Sequence, residues 1–124
     1  MTYTVLIVED SDTNREMLAT LLRRNGYRVT EARDGIEGIE VALSDPPDLV
    51  LMDLFMPRLN GWEATRRLKQ DPTLAHVPVI AVSAGASPAD AQAALEAGCV
   101  EYITKPIALA TFLRLIGQYL TAPH

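Results

Sequence analysis

Four places in this sequence put a chemically capable side chain at the end of an apolar run. Glu9 and Asp10 follow TVLIV, Asp53 follows DLVLM, Ser83 follows VIAV, and Lys105 comes just after VEYI. Neighbouring strands lie about 4.8 Å apart, so if these runs are adjacent strands, three carboxylates converge on one rim with a hydroxyl and an ammonium. Carboxylates that close repel unless they are protonated or neutralised by a cation. A hard divalent ion resolves this: Mg²⁺ (or Mn²⁺) takes a couple of carboxylates, waters and phosphate oxygens. An acid pair, a third acid, a hydroxyl and an ammonium together suit an anion held on a metal, and phosphate is the obvious candidate. Asp53 is then the candidate nucleophile, forming an acyl phosphate, with the metal and Lys105 stabilising the transferring charge. Each residue also has a plain structural reading. Glu9, Asp10 and Asp12 suit the N-terminus of a following helix, Asp53 suits a loop, and Ser83 and Lys105 are unremarkable alone. Their coincidence at successive strand ends favours the chemistry.

The elements that must position them are readable from periodicity. Thr4–Val8, Asp48–Met52 and Val79–Val82 are near-continuous apolar runs of strand length, as expected for strands buried on both faces. Arg28–Ala32 and Val100–Ile103 alternate more, as sheet edges do. Between them, Met17, Leu18, Leu21 and Leu22 stripe a first helix, with Thr13 and Glu16 as a capping box and Gly26 as its stop. Ile36, Ile39 and Leu43 mark a second helix before Pro46-Pro47, and Trp62 to Gln70 a third that Gly61-Trp62 begins. Ser87-Pro88 opens a fourth, closed by Gly98, and Leu109, Phe112, Leu113, Ile116 and Leu120 stripe a fifth. Five strands alternating with five helices predict an α/β fold, a doubly wound five-stranded parallel sheet of flavodoxin-like type. Strand order 2-1-3-4-5 is favoured, with ligands outside the carboxyl ends of the strands at the switch between strands 1 and 3.

Composition narrows the function classes. The chain has 124 residues, 48% hydrophobic and 22% charged, which is about one ordinary globular domain. Its net charge is −5, and residues 1–62 carry six basic against eleven acidic side chains while residues 63–124 carry five of each. No basic cluster is present that would bind nucleic acid, and no apolar run approaches the ~18 residues that cross a bilayer. The single cysteine, Cys99, precludes an internal disulfide and fits a reducing cytoplasm. Cys99 reads as a buried apolar residue, and neither His76 nor His124 sits at metal-ligand spacing.

The segments VLIVEDSDTNR, PDLVLMDLFMPRLNGWE, VPVIAVSA and AGCVEYITKPI, within a match from Val5 to Leu120, resemble the receiver domain of two-component response regulators. The stand-alone regulators and the receivers of hybrid kinases are the most similar in kind. The resemblance implies one receiver domain over residues 1–124, with its core at about 4–120 and no output domain within it. It implies a phosphorylation-activated switch rather than an enzyme, one that catalyses only its own phosphorylation and slow dephosphorylation. Asp53 matches the phosphoacceptor and Asp10 the direct Mg²⁺ ligand, with Glu9 acting through water and Phe55 lending its backbone carbonyl. Lys105 would contact a phosphoryl oxygen, Ser83 would rotate inward to bond it, and Tyr102 would follow as the switch aromatic. The Lys105-Pro106 peptide is expected to be cis, which proline makes accessible. A histidine kinase or histidine phosphotransfer protein is the implied donor, docking near the first helix and the Pro106-Ile107 turn. The signal would leave by binding a downstream protein, with no nucleic acid or membrane partner, from a cytoplasmic monomer or weak dimer. Leu115 and Tyr119 either belong to such an output or dimer surface or complete the core edge.

One position departs from the common pattern. Phe55, two beyond Asp53, places an apolar ring where many receivers carry a polar side chain or Met, and the ring should hinder an attacking water. Gly85, two beyond Ser83, offers no bulk and could offset it. Three rivals are weaker. An aspartyl phosphatase uses Asp-x-Asp, and Asp53-Leu54-Phe55 lacks the second acid. A flavin binder would set its phosphate against Glu9-Asp10-Ser11-Asp12. A degenerate receiver would lack one of the phosphorylation residues.

Overall fold

Strands β1 (Thr4–Val8) and β3 (Leu49–Asp53) are buried at every position. Runs buried on both faces belong inside a parallel sheet covered by helices on each side, and the computed structural model, which describes residues 2–84 and 87–121, places them there. The remaining strands are β2 (Arg28–Ala32), β4 (Val79–Ala84) and β5 (Glu101–Lys105), and the helices are α1 (Asp12–Arg24), α2 (Gly35–Ser44), α3 (Gly61–Gln70), α4 (Pro88–Ala97) and α5 (Leu109–Thr121). All strand pairs are parallel, in the order β2-β1-β3-β4-β5. The more alternating segments, β2 and β5, are the edges.

Side chains alternate between two cores. Val5 and Ile7 of β1, Leu49 and Leu51 of β3, and Ile80 and Val82 of β4 pack with Leu18 and Leu22 of α1 and with Phe112, Ile116 and Leu120 of α5. Leu6, Val8, Val50, Met52, Val79 and Ala81 face the other way, onto Ala42 of α2, Ala64 and Leu68 of α3, and Ala94 of α4. The helices are thus split two and three across the sheet, as a doubly wound fold requires. Among the described residues, no helix is long and apolar enough to cross a membrane.

Two local expectations are corrected. The N-cap of helix α1 is Ser11, two residues before Thr13, and its Oγ accepts a 3.3 Å hydrogen bond from the Asn14 amide. The chain turns into the helix as soon as it leaves the rim, so Thr13 and Glu16 fall inside the first turns and form no capping box. Strand β5 runs on through Lys105 instead of stopping before Thr104, whereas β3 ends in Asp53 as expected, so both residues are held by the sheet. Helix α4 matches its predicted ends, with a Ser87–Asp90 capping box, Pro88 in the first turn and Gly98 in the left-handed conformation.

Candidate functional site

Register brings the predicted side chains together. Val8 pairs with Met52, so the next residues along, Glu9 and Asp53, emerge side by side; Asp53 pairs with Val82, and Ala84 with Lys105. Carboxylate oxygens of Glu9, Asp10 and Asp53 all lie within 4.8 Å of one another. Among the described residues, this is the one cluster of acids, histidines or cysteines close enough to hold a metal ion. Lys105 Nζ donates to Glu9 Oε1 at 2.5 Å and sits 3.8 Å from Asp53 Oδ2. Glu9 is only 3% exposed and Asp53 7%, whereas Asp10 is open to solvent.

Burial and crowding determine how these groups ionise. Burial, then the hydrogen bond and the charge of Glu9, push the Asp53 carboxyl up to about 8 against the pull of Lys105. Burial also acts to raise Glu9, but hydrogen bonds from Asp53 and Lys105 outweigh it and hold this carboxyl below its ordinary range. The proton therefore resides on Asp53, with Glu9 ionised against Lys105. One ammonium would not neutralise three ionised carboxylates, so ionising Asp53 favours a cation among them. All the donors are hard oxygens, the set that suits Mg²⁺.

Two buried hydroxyls lie on β4 and β5. Ser83 Oγ and Tyr102 OH are buried with no hydrogen-bond partner in the chain. Such groups are costly to leave unpaired. Burial first, then the charge of Asp90, raise the Tyr102 phenol; the nearby Ser83 hydroxyl opposes them, although no hydrogen bond of normal geometry joins the two. The Lys105–Pro106 peptide bond is cis. The Phe55 amide donates to Asp53 Oδ1 at 3.4 Å. The Phe55 ring is 52% exposed and meets Trp62 edge-on at 5.2 Å, and Trp62 Nε1 donates to the Asp90 carbonyl at 3.1 Å.

Two supporting residues escaped the sequence reading. Arg15 is buried beneath the β1–α1 turn, where it donates to the Glu9 carbonyl at 2.8 Å, pairs with Asp12 and reaches Glu31 at 3.4 Å. An acid in the first turn, three residues before an arginine, was the only local hint. Gly61 starts α3 so close to β3 that a Cβ there would lie 2.2 Å from the Asp53 carbonyl oxygen. A glycine straight after the N-cap Asn60, where helix propensity does not favour it, was the available signal. Gly61→Ala must push α3 off the Asp53 backbone, and we expect a loss of about 2 kcal/mol, read as a lower midpoint of thermal unfolding.

Other expectations are placed more simply. His76 is exposed and Cys99 buried. Leu115 and Tyr119 are half-buried against the α1–α5 core, and Tyr119 OH lies 3.3 Å from Glu101 Oε1. Gly85 and His124 lie outside the described residues.

Comparison with known proteins agrees with this geometry. A sequence profile of the response regulator receiver domain matches residues 5–116. The polar-differentiation response regulator DivK of Brucella ovis is 41% identical over 120 residues, covering 97% of this chain and 98% of its own length. The receiver domain of a sensor histidine kinase from Pseudomonas aeruginosa PAO1, solved with a magnesium ion coordinated in its active site cleft, has TM-score 0.90 and 34% identity, over 98% of this chain and 100% of that one. The Vibrio cholerae chemotaxis protein CheY4 has TM-score 0.91 and 27% identity, over 97% of this chain and 100% of that one. With its sheet order, its acid cluster and its sequence all in agreement, the chain belongs to the response regulator receiver domain family.

Proposed function

We propose that this chain is a phosphorylation-activated switch of a two-component or phosphorelay system, with Asp53 as the phosphoacceptor. The observation that carries the reading is the position of Asp53, buried between two further carboxylates and within 3.8 Å of Lys105 Nζ. In the reaction an ionised Asp53 oxygen attacks the phosphorus of a phosphohistidine. A P–O bond forms, the P–N bond breaks, and the histidine leaves with its electron pair and takes up a proton. Lys105 stays protonated and holds an oxygen of the transferring group. Glu9 orients that ammonium. Glu9, Asp10, Asp53 and the Phe55 carbonyl would hold Mg²⁺, which when bound offsets the crowded negative charge and favours ionised Asp53.

Ser83 and Tyr102 connect the site to the surface. An unpartnered buried hydroxyl on Ser83 gains a strong acceptor once a phosphoryl group is in place. Ser83 moving toward it vacates space beside Tyr102, which biases a two-state equilibrium of the α4, β5 and α5 face toward a form that binds a downstream protein. The phosphoryl donor, a histidine kinase or histidine phosphotransfer protein, would dock at the groove lined by Met17, Leu18, Ile107 and Leu109, which runs up to Lys105.

The reading is tested by intact mass after incubation with acetyl phosphate. We expect one added phosphoryl group that requires Mg²⁺, is lost with chelator and is absent from Asp53→Ala. Multiple turnover of a phosphate ester without an adduct would replace the switch with a phosphatase. The Phe55 ring beside the acceptor should also keep water from the acyl phosphate. Phe55→Asn is therefore expected to shorten the phosphorylated lifetime several-fold, followed by mass after the donor is removed, and an unchanged lifetime would dismiss the shielding role.

A further inference from the structure

Arg58 is the one non-glycine with a positive φ among the described residues, at +66°. It sits at the centre of a three-residue turn closed by the Leu59 amide donating to the Pro57 carbonyl at 2.8 Å. Turns of that kind with positive φ are rare and strained, and a long branched side chain has no intrinsic preference for that backbone. Strain of this sort persists only where surrounding contacts over-determine it.

Those contacts are specific. Arg58 Nε and Nη2 donate to the two oxygens of Asp34, each at 2.9 Å, a two-pronged pair on a carboxylate that is only 14% exposed. Asp34 is already fixed as the N-cap of α2, accepting the Glu37 amide at 2.9 Å. Beside it Gly35 leaves room for the Leu59 carbonyl, which would lie 2.4 Å from a Cβ. At the base of the same loop the Gly61 amide donates to the Leu54 carbonyl at 2.9 Å. The segment from Leu54 to Gly61 is thus held at its base by β3 and α3 and at its tip by α2. It begins directly after Asp53 and carries the Phe55 amide that bonds the Asp53 carboxylate.

We infer that the Arg58–Asp34 pair is a latch that positions the Leu54–Gly61 loop for phosphoryl transfer at Asp53, so that Arg58 is a positioning residue for that reaction. This rests on the reading of Asp53 as phosphoacceptor. A bidentate guanidinium–carboxylate pair fixes orientation as well as distance, and a misplaced loop would displace the Phe55 backbone from the site. Positioning of this kind acts on rate and metal affinity more than on folding.

The test uses Arg58→Gly, in which glycine accepts the positive φ without strain while the latch is lost, together with Asp34→Asn, which keeps an N-cap oxygen but removes the charge. Three quantities are followed: hydrogen exchange of the loop amides without metal, Mg²⁺ affinity by Trp62 fluorescence, and the rate of phosphorylation by acetyl phosphate. We expect faster loop exchange, with Mg²⁺ affinity and phosphorylation rate each reduced by about tenfold. The double variant should be no worse than either single one, and Arg58→Lys should recover only part of the loss. Wild-type exchange and rate in Arg58→Gly, or additive losses in the double variant, would overturn the latch. Failure of the wild-type chain to accept a phosphoryl group would instead overturn the reading of Asp53, while the exchange result would still decide whether the pair holds the loop.

Discussion

Replacing Asp53 with Asn is expected to stabilise the metal-free protein at neutral pH. In the folded state this carboxyl is pushed up to about 8 from its usual 3.8, chiefly by burial and then by Glu9. Between those values the unfolded chain ionises Asp53 readily while the folded chain keeps it protonated. The native state then binds more protons than the unfolded one, and stability falls as pH rises. Below about pH 4 both states are protonated and the penalty vanishes; it grows from there to about pH 8. An uncharged amide avoids it, which is worth about 2 kcal/mol, or a midpoint higher by about 5–10 °C at pH 7. Thermal melts of wild type and Asp53→Asn from pH 4 to pH 8 check this. The advantage should be absent at pH 4 and increase steadily. Saturating Mg²⁺ should stabilise the wild type by about 2–3 kcal/mol at a hundredfold excess over its dissociation constant, and the Asp53→Asn variant by much less. Equal gains from Mg²⁺ in both would place the cation elsewhere.

Lys105→Ala should show the opposite pH signature. Lys105 is the ammonium that holds Glu9 ionised at 2.5 Å, with its side chain largely out of solvent. Removing it leaves buried acids without a cation, a change that costs about 3 kcal/mol. Glu9 has a folded value below its usual 4.5, so its contribution is present above that value and fades as the pH falls through the folded one. The loss on Lys105→Ala is therefore greatest near neutral pH and shrinks as the pH falls below 4.5 and on through the lowered folded value, beneath which Glu9 is neutral in either state. The phosphorylation rate should fall by about 100-fold, as when one preorganised donor to a transferring anion is deleted. Denaturant unfolding at pH 4 and pH 7, with a single-turnover rate from acetyl phosphate, measures both. A pH-independent loss would mean that Lys105 acts through packing rather than through Glu9.

These opposite signatures come from residues that the sequence made visible. Glu9, Asp10, Asp53, Ser83 and Lys105 follow apolar runs, and once the runs are parallel strands their ends must share one rim. Alternation marks β2 and β5 as edges, but periodicity hardly separates the two common doubly wound orders, and it is the count of five strands that favours 2-1-3-4-5. Strand ends were harder. Asp53 closes β3 where its apolar run ends, but β5 runs on past its own apolar stretch to Lys105, which still pairs with Ala84. The start of α1 was misplaced because Ser11 and Thr13 are both competent caps, and only the path of the chain out of β1 selects Ser11. Gly61, Arg15 and Arg58 were not legible as site residues. Each acts through a contact with another segment: Gly61 on the Asp53 carbonyl, Arg15 on the Glu9 carbonyl and Glu31, Arg58 on Asp34. Periodicity within one element carries no signal for such contacts.

The most direct test of the central claim is to locate the phosphoryl group. An aspartyl phosphate is an acyl phosphate, and borohydride reduces it to the alcohol, converting the acceptor aspartate to homoserine. The protein would be phosphorylated with acetyl phosphate and Mg²⁺, reduced, digested and sequenced by mass spectrometry. Homoserine is expected at position 53 alone, and is lost when chelator is present. Homoserine at Glu9's neighbour Asp10, or at any other aspartate with residue 53 unmodified, would contradict it.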